Sequence, residues 1–126
     1  QGVSPRSATV VWGVNVFHLA RDLQRTLEEA RDTLAPDGWL VAGEGIRPQS
    51  GRPVGPEFPF QLLDSFIDVA LDPELRPAPG FLTAEQWRGA LERTGFVDVT
   101  FVPDVLRLRA LSPRFYAAAV CARRPS

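Results

Sequence analysis

One histidine occurs in this chain, His18, at the end of the stretch VNVFH, where an apolar run gives way to a loop. Imidazole exchanges its proton near neutral pH, so a lone His at such a boundary is either a proton-transfer group or a packed, capping ring. The residue that bears on the choice is Glu44, which follows a second apolar run, WLVA, in the sequence GEG. A carboxylate beside an imidazole fixes its orientation and stabilises its charged form. Other chemistries have less to build on. One His and one Cys make no metal cluster of the usual kind, so no metal is expected. Ser65 and Ser112 have no nucleophile-elbow context, and no phosphate loop occurs.

The elements around His18 and Glu44 decide whether they meet. Residues 8–16 (ATVVWGVNV) are apolar and rich in β-branched side chains, which predicts a strand covered on both faces of a parallel sheet. Leu23, Leu27, Ala30 and Leu34 then recur at helical spacing, with Asp22 as the expected N-cap. Pro36-Asp37-Gly38 stops that helix, and residues 39–42 form a second strand. A parallel pair joined through a helix crosses over right-handedly. His18 and Glu44 therefore fall at the carboxyl ends of neighbouring or near-neighbouring strands, the edge at which open α/β sheets bind ligands.

Residues 47–59, rich in Pro and Gly, predict a surface loop over the same edge. Phe60, Leu63, Ile67 and Leu71 have helical spacing, which predicts a helix that ends at Asp72-Pro73. Thr83 and Gln86 read as a capping box that opens a helix over residues 84–94, closed by Gly95. Two strand-like runs follow, residues 96–102 and 115–122. The connection between them, containing LRLRAL, shows no helix-length apolar face, and the two strands are expected to pair antiparallel. Trp87 is assigned to packing, and Cys121 reads as a core thiol.

The 126 residues suit one domain, 1–126, with a sizeable core. Hydrophobic residues at 44% against 23% charged fit a globular protein, not a disordered one. The net charge is -1, and the basic residues, all Arg, form no stripe that would suggest nucleic acid. No apolar run approaches the roughly 18 residues of a membrane span, and the first residues are unlike a signal peptide, so the cytoplasm is the default expectation. The chain has no Met, and residue 1 is not expected to be a native start.

In order, these segments resemble a known family. Asn15-Val16-Phe17-His18, Asp22-Leu23 at the next helix, Leu34-Ala35-Pro36-Asp37-Gly38-Trp39-Leu40, Glu44, PGFLTAEQW and TGFVDV together resemble the second half of a class I S-adenosylmethionine-dependent methyltransferase. The likeness is greatest to the C-methyltransferase domains of modular polyketide synthases. Asp37 stands where the family motif has its first Gly, a mild departure because Asp-Gly also makes a tight turn.

The resemblance implies an α/β fold comprising strands 4 to 7 of a Rossmann-like sheet, mixed, with a reversed last strand. It implies that His18 and Glu44 form a catalytic dyad acting as base, and that residues 46–82 supply a substrate-side loop and lid helix. S-adenosylmethionine is the implied cofactor. Most of its site, the Gly-rich loop and the acidic residue, is expected upstream of residue 1, so the chain by itself is expected to be inactive. Asn15 and Val16 are placed on the cofactor side, although the Asn15 amide could equally bond a loop backbone. Phe58, Phe60, Phe66 and Phe81 would line an acyl pocket, or else belong to the core. The implied partner is a small-molecule or carrier-bound acyl substrate, and an exposed sheet edge is expected to favour a homodimer. Small-molecule O-methylation and a non-enzymatic interaction module are the two alternatives.

Overall fold

In a computed structural model, described over residues 2–126, β1 (Ala8–Val14) runs parallel to β2 (Leu34–Arg47), and α1 (Leu23–Thr33) makes the crossover. β5 (Ala117–Arg123) pairs antiparallel with both β2 and β4 (Val97–Val102), which gives the order β1-β2-β5-β4. The two-residue β3 (Leu82–Thr83) adds to the end of β2. The expected mixed sheet, with its last strand reversed, is therefore present.

Two-residue alternation builds the core. Leu40, Ala42 and Ile46 of β2, Ala118, Val120 and Ala122 of β5, and Val99 of β4 all point to one face. Leu23, Leu27 and Ala30 of α1 and Trp87, Ala90 and Leu91 of α3 (Ala84–Arg93) close over that face. Asp22 caps α1 by accepting from the Arg25 N–H. Thr83 and Gln86 form the reciprocal capping box on α3, and Gly95 follows it at φ +84°. Asp37 occupies the left-handed region at φ +61°. A short polar side chain tolerates that conformation, which accounts for Asp where the family motif carries Gly. At Gly38 a Cβ would lie 2.9 Å from the Ala35 carbonyl, so β2, which begins at Leu34 and not at the expected residue 39 and is irregular here against β1, needs glycine there.

The opposite face corrects one expectation. Val10, Trp12 and Val14 of β1 are exposed, Trp12 at 71%, and Trp39 lies beside Val10 in the register. β1 is thus packed on one face only, and among the described residues it pairs only with β2, the edge on which self-association was expected. Cys121 shares this open side next to Val41 and is half-buried, not a core thiol. The apolar run concealed the asymmetry because β-branched residues suit a strand whichever face is covered.

Two helix expectations also change. Residues 60–71 do not form one helix. A 3₁₀ turn (Phe60–Leu62) and a single α-turn, α2 (Asp64–Ile67), are separated by an extended Leu63. Leu62, Leu63, Ile67 and Leu71 are exposed and only Phe66 is buried, so the apolar spacing never becomes a packed face. The Ala70 N–H leaves the helical path to donate to the Arg21 carbonyl at 2.6 Å. Conversely, the connection after β4 contains α4 (Val105–Leu111), capped by Asp104. It buries only Val105, too little apolar surface to leave a periodic signal. No helix among the described residues is long and apolar enough to cross a membrane.

Candidate active site

β1 ends at Val14, and the next residue, Asn15, turns the chain with a φ of +56° while its N–H donates to the Gly43 carbonyl at 2.7 Å. That turn sends the next two amides toward β2. The Val16 and Phe17 N–H groups donate to Glu44 Oε1 at 3.1 and 2.8 Å. A 3₁₀ turn (Phe17–Leu19) then returns the His18 ring to the same carboxylate, with Nδ1 2.6 Å from Oε2. Both side chains are buried. A carboxylate is an acceptor, so Nδ1 carries a proton, and in the neutral ring Nε2 keeps the lone pair. Nε2 has no hydrogen-bond partner among the described residues. The arrangement is an oriented imidazole whose free nitrogen can accept a proton.

Phe81 and Phe66 pack edge-on against the imidazole, with centroids 4.9 and 5.9 Å away. Phe81 fits because Gly45 follows Glu44: a Cβ on Gly45 would sit 2.2 Å from the Phe81 ring. The Phe81 N–H donates to Glu57 Oε1 at 2.8 Å, and Glu57 holds Arg47 in a bidentate ion pair at 2.7 to 3.1 Å. Both members of that pair are buried, so the expected surface loop over residues 47–59, exposed along most of its length, is anchored in the interior at Arg47 and Glu57. Phe60 stacks on Phe66 from outside at 6.0 Å. Phe58 is exposed and has no place against the histidine.

An open cleft of about 470 Å³ lies at this sheet edge, lined by Asn15, Glu44, Gly45, Phe81, Phe115 and Tyr116 among others. Its lining is mostly apolar. Of the predicted pocket residues, the structure brings Phe66 and Phe81 to His18 and places only Phe81 in the cleft wall. Asn15 lines the cleft, whereas the Val16 side chain faces a separate hollow beside Trp12, Phe17 and Leu19. Tyr116 and Gly45 were not singled out in the sequence. Gly45, as the residue beside a candidate acid on a strand, carried the only signal: glycine inside a strand marks a close approach.

A second contact was equally hidden. Arg76 is buried and donates through Nη2 to the His18 carbonyl and through Nη1 to the Ala20 carbonyl, the latter at 2.5 Å. Burial pulls its guanidinium down to about 10, and Asp22 offsets this only in part.

Comparison with known proteins gives a consistent set of relatives. The chain is 34% identical over 104 residues to polyketide synthase ThaG of Burkholderia thailandensis, covering 80% of this chain and 2% of that protein. It is 35% identical over 99 residues to lovastatin diketide synthase mokB of Monascus pilosus, covering 79% and 4%. Among solved structures it matches CurJ carbon methyltransferase with a TM-score of 0.78 at 32% identity, over 97% of this chain and 31% of that one. The match to DszA carbon methyltransferase has a TM-score of 0.75 at 27% identity, over 98% and 30%. The trans-methyltransferase CalH, solved with SAH, shares the fold with a TM-score of 0.72 at 22% identity, over 98% and 32%. The chain thus spans under a third of the solved relatives' length and a few per cent of the curated ones. No family model matches it. By its sheet order and these relatives, the chain has the class I methyltransferase fold and is similar to the carbon methyltransferase domains of polyketide synthases.

Proposed function

We propose that the protein carrying this chain transfers a methyl group to the carbon between the two carbonyls of a β-ketoacyl substrate, small or carrier-bound, with His18 as base and Glu44 as its orienting acid. The observation that carries the reading is the buried His18–Glu44 pair at 2.6 Å, whose second ring nitrogen is left unbonded. S-adenosylmethionine would supply an electrophilic methyl group. The described residues fit it on one side: Asn15 lines the cleft at the carboxyl end of β1, together with Glu44 of β2. Glu44, already accepting three hydrogen bonds, has little capacity left for ribose hydroxyls.

This chain's own residues have distinct tasks. His18 Nε2 takes the proton from the activated carbon, and the carbon's electron pair is thereby freed to form the new bond. Glu44 holds Nδ1–H and stabilises the imidazolium that results. The Val16 and Phe17 amides keep the carboxylate aimed. Phe81 and Phe66 keep water from the imidazole edges, and the apolar cleft beside Phe115 and Tyr116 suits an acyl chain.

The test is methyl transfer from labelled S-adenosylmethionine to a β-ketoacyl thioester by the protein carrying this chain, with the product mapped by mass spectrometry. Label on the α-carbon supports the reading. Label on oxygen gives the O-methyltransferase alternative, and no transfer to either overturns the assignment.

A further inference from the structure

Glu44 sets the His18 ring, but the short turn that carries the ring has no side-chain cap of its own. Its carbonyls are held instead from 58 and 56 residues away, by the two terminal nitrogens of Arg76 on the carbonyls of His18 and Ala20. Arg76 comes from a tight turn that is itself built rigidly. Asp72 and Arg76 exchange both backbone hydrogen bonds at 2.9 Å, and Asp72 Oδ1 accepts from the Glu74 and Leu75 amides. Arg93 of α3 then grips Asp72 and Glu74 at 2.9 and 2.7 Å.

The guanidinium is a poor choice if stability alone is at stake. It is 2% exposed, and among the described residues no carboxylate lies within ion-pair distance and its Nε has no partner. Burying a charge against two carbonyls and leaving a donor unmet is unfavourable. What it achieves is geometric, because a planar fork can span two acceptors that a point-like ammonium cannot. One of those acceptors belongs to the histidine itself.

We propose that Arg76 is a positioning residue for methyl transfer, acting through the His18 backbone to hold the imidazole in register with Glu44 and the cleft. The proposal rests on the reading of His18 as base. Arg76 does not line the cleft. Its loss therefore lowers kcat and leaves KM and the affinity for S-adenosylhomocysteine unchanged.

The test uses the full protein that carries these residues. Arg76→Lys keeps a cation and loses the fork, and kcat should fall on the order of 10²-fold, as for a roughly 1 Å misplacement of a catalytic group. Arg76→Ala should fall at least as far and recover with added ethylguanidinium. In a His18→Ala background, Arg76→Lys should cost nothing further. If His18→Ala alone leaves kcat intact, the base assignment fails and this proposal with it. If His18→Ala lowers turnover to a measurable residue while folded Arg76→Lys retains it, or Arg76→Lys lowers it equally in both backgrounds, positioning alone is overturned. Should Arg76→Ala not fold, the Arg76→Lys pair of comparisons still decides.

Discussion

Arg47 and Arg76 are both buried at the same end of the sheet, yet their charges are met in different ways. Arg47 is neutralised by Glu57, and the pair closes on itself with the Val54 and Phe81 amides and the Pro79 carbonyl. Arg76 hydrogen-bonds the carbonyls of His18 and Ala20, has only the more distant Asp22 to offset its charge, and keeps one donor without a partner among the described residues. The first arrangement satisfies its groups locally and fixes a loop. The second leaves its groups under-satisfied and fixes a candidate catalytic turn. A protein that needed only to fold would gain from replacing the second with apolar packing, and residues held against that gain mark where function constrains structure.

The comparison can be broken at several points. The largest stability effect should come from Glu57→Ala, which leaves Arg47 buried and unpaired and should cost about 3–5 kcal/mol in urea unfolding. The double change Arg47→Met with Glu57→Leu should restore most of that loss, because an apolar pair of similar volume needs no charge partner. Arg76→Lys should do the opposite, with a smaller effect on unfolding than on turnover. Gly45→Ala comes next, since its Cβ would overlap the Phe81 ring and force it from the His18 edge. About 1–3 kcal/mol of destabilisation, together with a fall in turnover, is expected. Removing the α1 cap with Asp22→Ala should cost about 1 kcal/mol in the same assay, with kcat held near wild type if the helix serves only as scaffold.

Asp72 gives the smallest effect. Hydrogen bonds from the Leu75 and Glu74 amides, and then Arg93, hold its carboxyl below the usual range. Its folded value is depressed, so its contribution is present above the ordinary carboxylate range and is lost as pH falls through the lowered value. Asp72→Asn should slightly flatten the acid limb of a stability-against-pH curve. An unchanged limb would remove Asp72 from the support of the Arg76 turn.

The parts of this molecule that were legible in its sequence are those encoded by local repetition. α1 with its Asp22 cap and the box at Thr83 and Gln86 follow from spacing within a few residues, whereas the reversed β5 is implied by the resemblance. His18 and Glu44 could be brought together because a βαβ crossover places strand ends side by side. Residues 60–71 misled because apolar spacing signals a helix only when something packs on the apolar face, and Leu62, Leu63, Ile67 and Leu71 face outward. Arg47–Glu57 and Arg76–His18 left no trace, since a side chain reaching a distant backbone or loop has no period to detect. Trp12 escaped for a related reason: the type of a residue in a strand does not state which face is covered.

The pairing of His18 with Glu44 as one catalytic unit is tested most directly by a double-mutant cycle on kcat for methyl transfer, using His18→Ala, Glu44→Gln and both changes together. If the two act as one base, each single change should lower kcat by roughly 10²- to 10⁴-fold and the double change should fall little further. If the two losses simply multiply, or if His18→Ala keeps wild-type turnover, the pair at 2.6 Å is a packed ion pair and the base lies elsewhere.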